Sequence, residues 1–170
     1  MARYFNISGE LTQQLLAPGD NVKVTGISLT NVQKVSKCKV DLYMEKQFEG
    51  KFYILKNIEL PIGVTLEHDF SINNYTDEYG LYIKLTDGAT FTMTGSIDVT
   101  GTNTNVPGTN TLYTSELSVG DEIVVSGETR TIATITGDTT ATVTAAWGSD
   151  LANDTTPDCN PTALVDVIIN

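Results

Sequence analysis

The stretch that decides the architecture is residues 107–147, PGTNTLYTSELSVGDEIVVSGETRTIATITGDTTATVTAAW. Ser118-Val119-Gly120-Asp121 reads as a turn ahead of Ile123-Val124-Val125. Ser126-Gly127-Glu128 then turns the chain into 129–135, and Gly137-Asp138-Thr139 turns it into 141–144. Short strands joined by tight Gly, Asp and Ser turns and lined with small residues describe a small SH3-like barrel of about five strands. The composition changes with the pattern. From residue 101 onward the only basic residue is Arg130, against nine acids, and half of the chain's threonines fall between 101 and 150. The sequence then closes on TALVDVII (162–169), an apolar strand that suits the first hundred residues better than its own neighbours. The expected organisation is therefore nested: 1–99 and 160–170 form one domain, and 100–159 form a small barrel inserted into it. The two ends of such an insertion must lie close together.

Working outward, apolar residues alternate with polar ones along most of the first hundred residues, and no window of helical length shows a 3.6-residue period. The clearest strand is 37–45, with Cys38, Val40, Leu42 and Met44 on one face and Lys37, Lys39, Asp41, Tyr43 and Glu45 on the other. Residues 52–60 form a longer strand or a bent pair, stopped by Pro61 and Gly63. Further strands are expected at 64–70, at 79–85, and at 91–99 with Phe91, Met93, Ile97 and Val99 inward. Val22 and Val24 are out of phase with Ile27 and Leu29, and the slip falls at Gly26, where a β-bulge is expected. Residues 17–21, APGDN, form the turn before that strand. Residues 11–16 are expected to make a short helical turn. About seven strands with frequent turn signals, completed by the last one, predict an all-β fold: an antiparallel β-sandwich of jelly-roll type. The last strand is apolar on both faces, which fits a covered position rather than an edge.

At 170 residues with a formal charge of −11, the chain carries no basic run, so neither nucleic acid nor an anionic membrane is an expected partner. The opening MARYFNISGELTQQLL lacks the apolar core of a signal peptide, so synthesis in a cytoplasm is expected. Cys38 and Cys159 are too few for a disulfide framework; Cys38 reads as a core residue, and a bridge to Cys159 is a minor alternative.

The string around 107–147 resembles a small β-module of tailed-bacteriophage virion proteins, in which G-T-x-F/Y-x-x-x-L-x-V-G-D-x-I is followed by a hairpin, a T-x-x-I strand and a D-T-x-x-T-V strand. The matching residues are Gly108, Thr111, Tyr113, Leu117, Val119, Gly120, Asp121 and Ile123, then Thr131, Ile135, Asp138, Thr139, Val143 and Trp147. The flanking LLAPGDNVKVTGISLTNV and ALVDVIIN are similar, by strand pattern, to small phage structural proteins. The resemblance implies a non-enzymatic virion protein made in the host cytoplasm and bound to other virion proteins. A capsid decoration or cement protein is the first expectation, and a tail, collar or head–tail joining protein the second. A homo-oligomer is expected in either role.

No residue set forms a catalytic constellation, and no cofactor is expected. His68 is the single histidine and shares its phase with Val64, Leu66 and Phe70, while Asp69 points to the opposite face. It is expected to be structural. Asp150, Asp154 and Asp158 supply hard oxygen ligands of the kind Ca²⁺ takes, but their spacing matches no known calcium loop, and they double as ordinary loop formers. Tyr4, Phe5, Tyr43, Tyr75, Tyr79 and Tyr82 are the interface candidates, as an aromatic platform for a protein or, in a third reading, a host glycan. Trp147 is expected to plug the small barrel.

Overall fold

The structure is a computed structural model that describes residues 2–46, 48–74 and 78–170. Seven strands come first: β1 (Arg3–Ser8), β2 (Gln13–Leu16), β3 (Val22–Asn31), β4 (Cys38–Lys46), β5 (Gly50–Leu60), β6 (Thr65–Asn74) and β7 (Gly80–Thr86). Next come β8 (Phe91–Thr92), β9 (Ser96–Val99), β10 (Asn105–Thr109), a helical turn α1 (Tyr113–Glu116), β11 (Glu122–Val125), β12 (Glu128–Gly137), β13 (Thr140–Val143), β14 (Leu151–Asp154) and β15 (Asp158–Asn160). β16 (Leu164–Ile169) ends the chain. The chain divides into two compact units, Met1–Asp87 with Ala163–Asn170, and Gly88–Thr162.

In the first unit β16 acts as an eighth strand. β4 pairs with β5, β3 with β6, β2 with β7 and β1 with β16, all antiparallel, so each hairpin encloses the next. The nest is then rolled up, which sets β16 beside β3 and β7 beside β4. Two four-stranded sheets result, β1-β16-β3-β6 and β2-β7-β4-β5. This strand order is that of a jelly roll. Its core is aliphatic: Val24, Ile27 and Leu29 of β3, Val40 and Leu42 of β4, Ile83 and Leu85 of β7, and Val165, Val167 and Ile169 of β16 are all buried.

Local sequence explains most of these strands. In β4, Cys38, Val40 and Leu42 point inward in strict alternation. In β3 the register slips between Val24 and Gly26, where a Cβ would stand 3.2 Å from the His68 carbonyl oxygen and 3.1 Å from Asp69 Oδ1. Glycine lets the two backbones approach there. The end of β3 is tied down by a buried side chain. Asn31 Nδ2 donates to the carbonyls of Ser36 and Leu60, 3.0 Å each, and the Gln33 amide donates to Asn31 Oδ1 at 3.0 Å. The helical turn expected at 11–16 is absent; these residues hold β2. A register shift between Gln14 and Leu16 turns both Leu15 and Leu16 into the core, which erases the alternation a strand normally shows.

The second unit is one eight-stranded row, β14-β9-β10-β13-β12-β11-β15-β8. Strands from both halves of that row feed one core, in which Ile97, Val106, Ile123, Val125, Ile132, Val143, Tyr113, Trp147 and Cys159 are buried. With strands about 4.8 Å apart a flat row would keep its ends roughly 30 Å from each other, so the sheet must curl. The expected five-strand barrel undercounts this unit, and β14 and β8 are the ends of its row rather than hydrogen-bonded neighbours. The turn residues behave as read. Ser126 and Gly127 both have positive φ (48° and 86°), the geometry of a two-residue type I′ hairpin between β11 and β12. Asp121 is buried; its carboxylate accepts the Ser118 amide at 2.7 Å and the Thr162 amide at 2.9 Å. Trp147 is buried in this core beside Arg130, whose guanidinium lies 5.6 Å from the ring centre.

The unit boundaries differ from those expected. Residues 91–99 and 160 belong to the insertion, because β8 pairs with β15 and β9 with β10 and β14. The alternation of Phe91, Met93, Ile97 and Val99 reads the same whichever core it faces, so it did not reveal which one.

Candidate interaction face

The outward face of the sheet β2-β7-β4-β5 carries a row at one register across all four strands: Gln14, Tyr82, Tyr43 and Tyr53. Gln14 Nε2 donates to the Tyr82 hydroxyl at 2.8 Å. The Tyr82 and Tyr43 ring centres are 5.8 Å apart, and Tyr43 and Tyr53 are 5.5 Å apart. Lys51, two residues before Tyr53, donates to the Tyr43 hydroxyl at 3.1 Å and lies 4.3 Å from its ring centre. That hydrogen bond holds the Lys51 ammonium above its usual pKa, with burial acting in the opposite direction. Lys56 Nζ lies 4.6 Å from the Tyr53 ring centre. Each exposed cation–ring contact contributes roughly 0.5–1 kcal/mol, so the row is stiffened from above as well as from the sheet below. Gly80, two residues before Tyr82, leaves room for that ring: a Cβ there would stand 2.7 Å from it and push it out of its place in the row.

Lys39, Lys51, Lys56 and Lys84 all stand exposed on this face, and among the described residues none of them is in an ion pair. Asp41 is occupied by the Asn57 amide at 2.6 Å. Asn57 itself has φ 55°, one of two irregularities that bend β5 along the edge of the sheet. Bulges and lysines on an edge strand resist edge-to-edge pairing with other chains.

The expected interface residues scatter. Tyr43 is 1% exposed, so it is no part of an open platform. Its polar phase on β4 is real, but Tyr53, Tyr82 and Lys51 cover it. Tyr82 is half-buried in the row. Tyr79 packs edge-on to Phe52 at 5.9 Å and donates to Glu49 Oε2 at 3.4 Å, near the β4–β5 turn. Tyr75 lies outside the described residues. Tyr4 and Phe5 sit on β1, with Tyr4 72% exposed and Phe5 packed against the core. Around them and Asn6, Asp166, Val167 and Ile168 runs a groove of about 320 Å³. Tyr53, Lys51 and Lys56 were missed because the bends in β5 break the period that assigns faces.

The remaining candidates resolve into structural roles. His68 lies in β6 beside Phe70, ring centres 5.7 Å apart, in phase with the half-buried Leu66 and Ile72. Asp150 accepts the Gly101 amide at 2.7 Å, Asp154 accepts the amides of Ser126 and Thr156, and Asp158 accepts the Thr92 hydroxyl at 2.8 Å. The three carboxylates thus make separate local contacts, that of Asp158 across the β8–β15 strand pair, and no metal-binding group of acids, histidines or cysteines occurs among the described residues. Cys38 and Cys159 are both free, each buried in a different core; burial pushes the Cys38 thiol up to about 11 and raises that of Cys159 as well. Among the described residues no helix is long and apolar enough to cross a membrane.

No protein-family model matches this sequence, and comparison with curated proteins gives no match. Among solved structures the chain aligns with one in the structure of infectious bursal disease virus Gx strain, at a TM-score of 0.21 and 9% identity. That alignment covers 99% of this chain and 32% of the other, and at such a score it bears on neither fold nor function.

Proposed function

We propose that the protein is a non-enzymatic structural component of a virion, carried on the outside of a capsid as a decoration or cement protein. The observation that carries this reading is the jelly-roll strand order of the first unit, an architecture shared by viral capsid domains, lectins and cupins. Two of those classes fit the residues poorly. A cupin places its metal ligands inside the roll, where this chain places Val, Leu and Ile. A glycan platform needs open aromatic faces, and the central tyrosine of this row is covered. What is left on the outside is a stiff, polar, strand-rich surface suited to a repeated lattice. The resemblance of 107–147 to phage virion modules supports the same reading, and the acidity of the insertion favours a solvent-facing position.

Fold alone does not fix function, so the test is positional. Density maps of virions made with and without the protein are expected to differ by density on the outer capsid surface. A difference at the tail or collar would move the assignment to a joining protein, and no difference anywhere would overturn the virion reading.

A further inference from the structure

The two outward faces of the jelly roll carry opposite charge. On the β2-β7-β4-β5 side stand Lys39, Lys51, Lys56 and Lys84 around the exposed edge of Tyr53, with Lys37 ion-paired to Glu59. These lysines outnumber the acids of the face, Asp41, Glu45 and Glu59, which lie across the strands from Lys84, Lys51 and Lys39. On the β1-β16-β3-β6 side two rows run across the strands. One is Tyr4, Ile168, Ser28 and Glu67; the other is Asn6, Asp166, Thr30 and Thr65. Asp69 continues this face along β6 beside Gly26. Its acids are Glu67, Asp69 and Asp166, against the outward Lys23 on β3, and among the described residues none of the three acids is in an ion pair. Along its β1–β16 edge Tyr4 and Ile168 border the groove of about 320 Å³.

We infer that these faces bind each other between copies of the chain, the lysine–tyrosine face of one molecule lying on the acidic face of the next. Each face then meets the chemistry it lacks. Tyr53, on the edge strand β5, supplies an aromatic side chain for the groove on the edge strand β1 and its neighbour β16, and lysines meet carboxylates across the rest of the two faces. The complementarity fixes direction: lysine face on lysine face, or acid face on acid face, sets like charges together and is unfavourable. The contact is therefore head-to-tail, and such contacts propagate as rings or open chains rather than stopping at two copies. Four strands side by side span only about 19 Å. A face of that width supports association at the weak, reversible end of the range for protein pairs. The chain's formal charge of −11 opposes any association, so the match of local charge has to decide the outcome.

The test uses the intact purified chain and stands apart from virion attachment. Sedimentation velocity over a concentration series, in about 0.1 M salt, where charges further apart than roughly 10 Å are screened, is expected to show the average mass rising with concentration. The double reversal Lys39→Glu/Lys84→Glu should flatten that rise, and so should Glu67→Lys/Asp69→Lys. All four positions are exposed, and unchanged melting confirms that each variant folds. The deciding arm mixes the two variants. Neither self-associates, but the acid-on-both-sides and lysine-on-both-sides molecules should associate with each other at least ten-fold more strongly than either does alone. A wild-type chain that stays monomeric at every concentration overturns the inference. So does a lysine reversal that leaves the rise intact, or a mixture that fails to restore it. Loss of association in the lysine variant but not in the acid variant would assign the acidic partner surface elsewhere, and this pairing of faces would be wrong.

Discussion

Replacing Asn31 with Leu probes whether the polar knot at the end of β3, rather than aliphatic packing alone, holds the jelly roll. Leucine matches the shape of asparagine but removes all three side-chain hydrogen bonds: two donated to the carbonyls of Ser36 and Leu60, and one accepted from the Gln33 amide. A net ~1 kcal/mol per bond, with an added penalty for backbone groups left dry, gives a loss of about 3–4 kcal/mol. In a unit of this size each kcal/mol moves the midpoint by ~4–8 °C, so a drop of roughly 15–25 °C is expected in calorimetry or circular dichroism. A companion change sharpens the test. Asn31→Asp keeps an acceptor for Gln33 but turns a carboxylate toward two carbonyls. The buried acid then favours its protonated form, so its folded pKa is raised and the variant should regain stability as pH falls. An Asn31→Leu protein melting within about 5 °C of wild type would refute the reasoning, because the three bonds would then contribute almost nothing.

Other consequences are open to direct measurement. Val40→Asp should prevent folding of the first unit while Lys39→Asp leaves its melting nearly unchanged, since Val40 is fully buried and Lys39 exposed on the opposite face of β4. Excising 88–162 should leave a folded jelly roll, because the Ala163 amide already donates to Asp87 Oδ1 at 2.7 Å and a short Gly/Ser linker spans the gap. Deleting 163–170 should unfold it: Val165, Val167 and Ile169 together bury about 5–9 kcal/mol of apolar contact, comparable with a whole domain's stability. Circular dichroism of both truncations separates the two cases. Burial pushes the Tyr113 phenol up to about 12, with the Thr111 hydroxyl pulling the other way. The folded insertion therefore holds a proton that the unfolded chain gives up near pH 10, and its stability should fall between about pH 10 and 12. Tyr113→Phe should lose that alkaline sensitivity in a pH series of melting curves.

Much of the roll was legible because its strands alternate and its glycines punctuate. Cys38, Val40 and Leu42 announced β4, and the phase change at Gly26 announced the bulge in β3. What was hidden depends on neighbours distant in sequence. Tyr43 is polar by phase and buried in fact because Tyr53 and Tyr82 flank it across the sheet, a relation no single strand encodes. β2 was misread because a register shift turns two adjacent leucines inward. The insertion's beginning was placed late because its first strands share the jelly roll's alternation, whereas charge and threonine content change only at about residue 100. Asp121 was recognisable as a turn former, but its grip on the Thr162 amide is visible only in the folded chain.

The place of the insertion, between the seventh and eighth strands of the roll, also sets a schedule for synthesis. β1 and β3 both await β16, which leaves the ribosome only after all of Gly88–Thr162. At about 5–20 residues per second that interval lasts roughly 4–15 s. Throughout it β1 has no partner and one side of β3 is bare, so both present open hydrogen-bonding edges of the kind that recruit strands from neighbouring nascent chains. An insertion that folds during the wait draws its own ends together and shortens the loop that β16 must close. The guest domain thus governs how long its host remains vulnerable to aggregation.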